Sequence, residues 1–196
     1  MLKEKLKNYN IILASGSPRR QQFFKDLELE FEIRLKPIEE VYPNHLKHSE
    51  ISDYLAKLKS KPFEGELNEN DILITSDTIV WHNNEALGKP KSEQEAFNMI
   101  RSMSGKTHQV ISSVCFTTKR TQKAVNAITK VTFKDLSDDE IWHYIHNFSP
   151  MDKAGAYGIQ EWFGLIAVTK IEGSFFNVMG LPVHLVYKTL NDIANS

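Results

Sequence analysis

The order of hydrophobic and polar positions predicts a strand, a helix and a second extended segment at the start of the chain. Positions 9–14 are apolar enough for a buried strand. Ser17-Pro18 supplies an N-cap followed by proline at the first helical position, which predicts a helix over 18–29. Positions 31–35 favour an extended segment, so the chain opens with a strand-helix-strand pattern.

A second helix and a third strand follow. Ser49 is a suitable cap for a helix whose apolar residues recur at i, i+3, i+4 and i+7, namely Ile51, Tyr54, Leu55 and Leu58. Positions 71–79 are apolar enough for an interior strand, apart from the polar run Thr75-Ser76-Asp77. Polar side chains in a buried strand need a partner or a function, so this run is a candidate site.

Two hairpins are predicted in the middle of the chain. His82-Asn83-Asn84 has the composition of a tight turn. The polar stretch 119–123 separates two long strands, 107–118 and 124–133, and is the strongest hairpin signal in the sequence. A further strand is predicted over 165–171.

Three more helices are indicated by their start signals. Ser92 with Glu95, and Ser137 with Glu140, each have the spacing of a capping box ahead of an apolar face. Pro182 opens the last helix. Because helices and strands alternate before a long hairpin intervenes, we predict an α/β protein with a mixed sheet and a cleft between two lobes.

Composition narrows the class of protein. The 196 residues are 41% hydrophobic and 25% charged with a formal net charge of -1, so we predict one soluble domain over 1–196. This charge balance gives no general attraction to a nucleic-acid polymer or a membrane, which favours a small ligand. The single Cys115 cannot form an internal disulfide, and the N-terminus is too polar for a secretory signal, which indicates a cytoplasmic protein.

The segment Leu13-Ala14-Ser15-Gly16-Ser17-Pro18-Arg19-Arg20 predicts an anion-binding corner. It places two serine hydroxyls and at least one guanidinium beside the free amides of a helix N-terminus. That combination suits a phosphate group. The alternative is a basic helix start that is merely solvated.

Asp77 and Glu40 are candidate metal ligands. Asp77 lies within an apolar run, where a carboxylate is costly to bury unless it is paired. Glu40 follows a second acidic residue, Glu39, in a predicted loop. If the fold brings the two carboxylates together, they could hold a hard divalent ion such as Mg²⁺. The alternatives are a turn-capping aspartate and a solvated acidic loop.

Lys59, Lys89 and the segment 152–160 are further candidates. Both lysines could instead be ordinary surface residues. The segment 152–160 contains two glycines that permit tight turns, and its Gln160 amide could read the edge of a nucleobase.

Other residues are better explained structurally. His143 and His146 lack the pattern of a zinc site and are predicted to be polar helix residues. Cys115 lies among core residues of a strand and lacks a convincing base, so we treat it as core. The dinucleotide fingerprint and the P-loop pattern do not occur.

Taken together, six motifs in one order resemble the Maf family of nucleoside triphosphate pyrophosphatases, which includes septum formation proteins. The motifs are Leu13-Ala14-Ser15-Gly16-Ser17-Pro18-Arg19-Arg20, Ser76-Asp77-Thr78, Gly88-Lys89-Pro90, Ser104-Gly105-Lys106-Thr107-His108, 152–160 and Gly180-Leu181-Pro182. The resemblance covers almost the whole chain. It implies an α/β fold like that of inosine triphosphate pyrophosphatases (Maf/Ham1), with a central mixed sheet flanked by helices and a cleft between two lobes. It also implies hydrolysis between the α and β phosphates to a nucleoside monophosphate and pyrophosphate.

The resemblance also implies residue roles. Asp77 would be the general base or a metal carboxylate, and Glu40 would help it hold Mg²⁺ or Mn²⁺. The positions that would hold the triphosphate are Ser15, Arg20, Lys59 and Lys89. A homodimer is a further expectation from the family.

Substrate preference follows from the same resemblance. The branch acting on dTTP and UTP carries Arg-Arg after the proline, Thr after the catalytic Asp, and Tyr-Gly-Ile-Gln late in the chain. This chain has all three, which makes Arg19, Thr78 and Gln160 the expected base-selecting residues. Glu39 and Leu58 depart from the common family pattern, and the second departure bears on the position of the helix lysine.

Two other functions remain open at this level. One is the same reaction on 7-methyl-GTP or another modified nucleotide. The other is a nucleotide-binding regulator of septum formation that does not turn its ligand over.

Overall fold

The computed structural model describes residues 1–195, and it confirms an α/β architecture. The helices are α1 (Leu2–Lys5), α2 (Pro18–Asp26), α3 (Ser49–Leu58), α4 (Glu93–Met103), α5 (Asp138–Phe148), α6 (Trp162–Ala167), α7 (Phe175–Val178) and α8 (Val183–Ala194). The strands are β1 (Asn10–Leu13), β2 (Glu32–Ile33), β3 (Asp71–His82), β4 (Glu85–Leu87), β5 (Thr107–Thr117), β6 (Gln122–Phe133) and β7 (Val168–Glu172). Short 3₁₀ turns occur at Lys61–Phe63, Pro150–Asp152 and Ala154–Ala156.

The strands form a mixed sheet in the order β2-β1-β3-β5-β6-β7, with β4 paired to β3 outside that order. β1 runs parallel to both β2 and β3, and its Leu13 lies opposite Ile74. The β3–β4 and β6–β7 pairs are antiparallel. The predicted mixed sheet is therefore confirmed, whereas the cleft and the single domain stay predictions.

The chain divides into two compact units. The first unit contains Met1–Asp77, Ser112–Ala127 and the segment that begins at Gly180, and the second contains Thr78–Ile111 and Ile128–Met179. In the first unit, Ile12 and Leu73 of neighbouring strands pack with Phe63. The second unit has a larger aromatic core that includes Phe133, Tyr144 and Phe163. None of the helices formed by residues 1–195 combines the length and apolar character needed to span a bilayer.

The first helices begin nearly where the sequence predicts and end sooner. Ser17 caps α2 by accepting a hydrogen bond from the Arg20 amide at 3.4 Å. The helix stops at Asp26 instead of continuing to position 29, because Glu28 turns the chain with a left-handed φ of 57°. The expected cap of α3 is wrong by one position: His48 is the N-cap, and Ser49 is the first helical residue.

The later helix caps are confirmed with one difference. Ser137 and Glu140 form a reciprocal capping box at the start of α5. Ser92 accepts from the Glu95 amide at 3.1 Å, but the Glu95 carboxylate accepts from the Lys91 amide at 2.8 Å and not from the cap itself.

The strand predicted over 165–171 is correct only in its second half. Trp162–Ala167 is helical, and β7 starts at Val168. Phe163 and Ala167 lie four residues apart and are buried, while Leu165 between them is 84% exposed. That burial pattern belongs to a helix, whereas the continuous apolar run Leu165-Ile166-Ala167-Val168 is equally compatible with a buried strand.

Candidate active site

The anion-binding corner between β1 and α2 is built by its own serines. Ser15 Oγ accepts from the Ser17 amide at 3.3 Å, and the Gln21 side-chain amide donates to the Ser15 carbonyl at 3.0 Å. Ser15 Oγ in this bond, and Ser17 Oγ in its bond from the Arg20 amide, both act as acceptors, so each hydroxyl hydrogen can still be donated to an anion. The structure thus places Ser15 at the N-terminus of a nine-residue helix, as the sequence predicts.

Arg20 ties this corner to two other segments of the first unit. Its Nε donates to the Gly180 carbonyl at 2.8 Å, and its Nη1 donates to the Ser76 carbonyl at 3.1 Å. Burial lowers the pKa of the guanidinium below its ordinary value, and the charge of Asp77 opposes that shift. Arg20 therefore brings a buried positive charge close to Asp77 and also fixes the main chain of the residue before it.

Lys59 lies between two carboxylates. Its Nζ is 2.7 Å from Asp77 Oδ1 and 3.0 Å from Glu40 Oε2. The Asp77 side chain is 8% exposed and that of Lys59 is 18%, whereas Glu40 is half exposed. The structure therefore brings both acidic residues to one shared lysine.

The local fold explains why these side chains meet. Lys59 is the C-cap of α3, and Asp77 lies on the same face of β3 as Thr75, two residues earlier. Thr75 Oγ1 donates to the Ala56 carbonyl at 2.6 Å, which fixes the last turn of α3 against the strand. This bond also gives a buried threonine hydroxyl the partner that the apolar run requires.

Asp77 keeps one oxygen without a partner. Within residues 1–195, its Oδ2 is buried and makes no hydrogen bond. A buried carboxylate oxygen in that state is costly, and a hard cation or a water molecule would relieve the cost. Among the described residues no group of three or more His, Cys, Asp and Glu side chains is arranged to hold a metal ion. A divalent ion held by Glu40 and Asp77 alone would have to take its remaining oxygen ligands from substrate phosphates and water.

Sequence reasoning missed the polar contacts that hold α3. Asp53 accepts from Ser113 Oγ at 2.6 Å, and from the Asn126 amide at 3.1 Å and 3.0 Å through its two oxygens. Just after α3, Ser60 Oγ accepts from the Gln122 amide at 2.9 Å. A serine such as Ser113 in an otherwise apolar strand was the available signal, but its partner is 60 positions away.

The remaining predicted site residues differ in their exposure to solvent and lie in both units. Arg19 is half-buried in the first turn of α2, and Thr78 is half-buried directly after Asp77. Lys89 and Gln160 are exposed residues of the second unit. The Gly155 amide donates to the Gly88 carbonyl at 3.0 Å, so the Lys89 turn is attached to the segment 152–160.

Cys115, His143 and His146, which the sequence assigns to structural roles, are packed against other residues in the structure. Cys115 is fully buried, and burial raises the pKa of its thiol, as expected of a core residue. The His146 ring stacks on Trp142 with centroids 5.3 Å apart, and the His143 ring lies 4.8 Å from that of Trp162. Both histidines are helix residues that pack on aromatic side chains.

Comparison with solved structures confirms the fold class. The chain is similar to the Ham1 protein of Staphylococcus aureus with a TM-score of 0.55 and 16% sequence identity. The match covers 94% of this chain and 99% of that one.

The similarity of this chain to its relatives and to a family model extends over nearly its full length. A dTTP/UTP pyrophosphatase of Flavobacterium johnsoniae is 66% identical over 98% of this chain and 100% of its own. Proteins of the same name from Phocaeicola vulgatus and Porphyromonas gingivalis are 49% and 44% identical, over at least 97% of each chain. Residues 10–193 match the family described as Maf-like protein. The chain belongs to the Maf family.

Proposed function

We propose that this protein hydrolyses nucleoside triphosphates between the α and β phosphates, releasing a nucleoside monophosphate and pyrophosphate, with dTTP and UTP as substrates. The observation that carries the proposal is the Glu40–Lys59–Asp77 cluster, in which a buried Asp77 oxygen is left open beside two cations. The names and full-length similarity of the relatives support the same reaction and the same two nucleotides.

Asp77 is the proposed proton acceptor. Lys59 offsets the charge on Oδ1, and the buried Oδ2 makes no hydrogen bond with the described residues, so Oδ2 is the atom proposed to take a proton from attacking water. Arg20 holds the Ser76 carbonyl and keeps the adjacent carboxylate in place. Positioning of this kind lowers the barrier by fixing the geometry of attack before the reaction begins.

The proposed cofactor is Mg²⁺ or Mn²⁺, held by Glu40 and Asp77. Such an ion neutralises charge on the phosphate oxygens and lowers the pKa of bound water. The fit rests on the chemistry of two carboxylates that meet at Lys59.

The triphosphate would be held by cations and by the helix corner. Ser15 and the first amides of α2 suit the phosphate oxygens, and Lys59 and Arg20 of the same unit supply positive charge. Lys89, an exposed residue of the second unit, is a further proposed phosphate-binding cation from the family resemblance. These groups would stabilise the pyrophosphate that leaves.

Arg19, Thr78 and Gln160 are the proposed base-selecting residues. The Gln160 amide carries a donor and an acceptor side by side. Uracil and thymine present an N–H donor beside a carbonyl acceptor, so the amide can pair with both groups at once.

The proposed setting is the cytoplasm, where nucleoside triphosphates are formed and consumed. The single buried cysteine supports it, because a chain without disulfides needs no oxidising compartment. A homodimer stays a prediction from the family resemblance.

The test is pyrophosphate release from dTTP, UTP, CTP, GTP and 7-methyl-GTP with Mg²⁺ or Mn²⁺. We expect dTTP and UTP to be turned over, and Asp77→Asn to lower the rate by about 10²- to 10⁴-fold, the usual contribution of a general base. Asp192→Asn on the exposed side of α8 is the matched control and should leave the rate unchanged. Nucleotide binding without turnover would contradict the proposal and favour a regulator, whereas preference for 7-methyl-GTP would contradict the proposed substrates.

A further inference from the structure

A second lysine in this protein also lies between two carboxylates. In the second unit, Lys153 Nζ is 2.7 Å from Asp152 Oδ1 and 3.1 Å from Glu161 Oε1. The Lys153 side chain is 9% exposed and that of Glu161 is 22%. The two ends of the segment that precedes α6 are thereby joined by a largely buried ion pair.

Tyr144 completes this network from α5. Its hydroxyl donates to Glu161 Oε2 at 2.5 Å and accepts from the Gly158 amide at 2.9 Å. Burial, reinforced by the neighbouring Glu161 charge, raises the pKa of this hydroxyl well above its ordinary value, so it remains a donor. One buried hydroxyl thus holds the main chain before Gln160 and the side chain after it.

The segment is shaped to fit this network. A Cβ at Gly158 would lie 2.7 Å to 3.0 Å from atoms of the Glu161 carboxyl group, so a side chain there would push the carboxylate away. One residue earlier, the Tyr157 hydroxyl is 2.8 Å from His108 Nε2 in a second buried contact. Residues 155–159 are buried, and Gln160 is the first exposed residue after them.

This rigidity has a consequence for base selection. Guanine presents the same donor and acceptor pair as uracil, but a purine carries that edge farther from the sugar because it has a second ring. A glutamine amide cannot separate the two bases by hydrogen-bond type alone, so selection depends on where the amide is held. A loose segment would let the amide move to either edge.

We infer that Tyr144, together with Glu161 and Lys153, is a positioning residue that holds the main chain carrying Gln160, so that the Gln160 amide favours pyrimidine over purine triphosphates. The inference rests on the proposed function. It predicts that the network acts on substrate choice only through Gln160, and not by supporting the fold in general.

A double-mutant cycle tests this prediction. The quantity measured is kcat/KM for UTP divided by kcat/KM for GTP, from pyrophosphate release by the full chain. We expect Gln160→Ala to lower this ratio about tenfold or more and Tyr144→Phe to lower it about fivefold, since lost hydrogen bonds of this kind discriminate substrates. In the Gln160→Ala background, Tyr144→Phe should change the ratio less than about twofold, the sign of strong coupling.

Two further variants keep the test decisive. Glu161→Gln keeps an acceptor for Tyr144 but removes the charge opposite Lys153, and it provides the same cycle if Tyr144→Phe does not fold. Tyr187→Phe, at an exposed position of α8, should leave the ratio unchanged.

The results that would overturn this inference differ from the result that would also overturn the proposed function. An unchanged ratio with a lower melting temperature, or equal falls in both backgrounds, would overturn the inference and reduce the network to a support of the fold. Equal turnover of UTP and GTP by the parent protein would overturn it while leaving the pyrophosphatase activity intact. No turnover of any nucleotide by the parent would overturn the proposed function as well.

Discussion

Lys59 and Lys153 each lie between two carboxylates. The two sites differ in whether the remaining oxygen of the more buried carboxylate accepts a hydrogen bond. Each ammonium contacts two carboxylates, at 2.7 Å and 3.0 Å for Lys59 and at 2.7 Å and 3.1 Å for Lys153. Beside Lys59, Asp77 Oδ2 is buried and has no partner among residues 1–195. Beside Lys153, the second oxygen of Glu161 accepts from Tyr144.

This difference separates a reactive group from a structural one. A network whose buried oxygens are all satisfied is stable and gains little from a ligand. A carboxylate with an unused buried oxygen gains free energy when a cation, a proton or a water molecule arrives. Both lysines contact two carboxylates, so the completeness of hydrogen bonding, together with the Arg20 charge near Asp77, is what distinguishes the two clusters.

The largest expected effect comes from removing each ammonium. Lys59→Met should lower kcat/KM for UTP by about 100-fold or more, because it takes a cation from the proposed triphosphate site. Lys153→Met should lower it by less than about tenfold while lowering the melting temperature, since breaking a buried pair destabilises the fold. Steady-state kinetics and thermal unfolding of both variants are the measurements. If both variants lowered kcat/KM for UTP to a similar extent, the distinction between the two lysines would be contradicted.

Tyr144→Phe tests how much the complete network contributes to stability. The change removes two hydrogen bonds and leaves Glu161 with an unpaired oxygen, which should cost about 2–3 kcal/mol. For a protein of this size that is a fall of about 5–10 °C in melting temperature. Tyr187→Phe, at an exposed position of α8, is the matched control and should leave the melting temperature unchanged. A shift for Tyr144→Phe no larger than that for Tyr187→Phe would contradict this prediction.

The pH dependence of stability should come in part from His108 in the second unit. Burial, and to a smaller extent His82, lowers the pKa of His108 to about 3. The unfolded chain binds this proton near pH 6.5, so the stability is fully present above that pH and is lost progressively as the pH falls toward 3. Between pH 6.5 and 5 the loss is about 2 kcal/mol.

Denaturant unfolding at several pH values measures this loss. His108→Gln keeps a group that can bond Tyr157 and should flatten the dependence between pH 6.5 and 5. His184→Gln, at an exposed position of α8, is the control and should leave the slope as in the parent. An unchanged slope in His108→Gln would show that the proton is taken up elsewhere.

The smallest expected effect is the response to a divalent ion alone. Mg²⁺ or Mn²⁺ without nucleotide should raise the melting temperature of the parent by a few degrees, because a ligand that binds only the folded state stabilises it. Asp77→Asn and Glu40→Gln should abolish the increase, and Glu161→Gln should retain it. A shift that survives in Asp77→Asn would place the ion elsewhere.

Much of the fold was predictable because local signals carry it. The Ser17 cap, the Ser137–Glu140 capping box and the turn at Asn83 and Asn84 depend on residues within a few positions of one another. The left-handed φ values of 49° and 64° at the two asparagines are those that a tight hairpin turn needs. The helix over Trp162–Ala167 was not predictable in the same way, because its identity depends on which residues are buried.

The candidate site was predictable as a set of residue types and much less as an arrangement. Asp77, Glu40 and Lys59 stand out as polar residues next to apolar runs or in recurring motifs. That Lys59 is shared by both carboxylates follows from how α3 packs on β3. The support of α3 by Asp53 depends on partners 60 and 73 positions away, which no local pattern indicates.

The sequence by itself determined the α/β class, the Ser17-capped start of α2 and the residue types from which the candidate site is built. These depend on periodicity, capping and residue type, which are properties of short stretches of chain. Only the tertiary structure decided which buried oxygens are satisfied, leaving Asp77 Oδ2 open and closing Glu161 with Tyr144. Hydrogen bonding of a buried group depends on neighbours brought from distant segments, and packing alone chooses those neighbours.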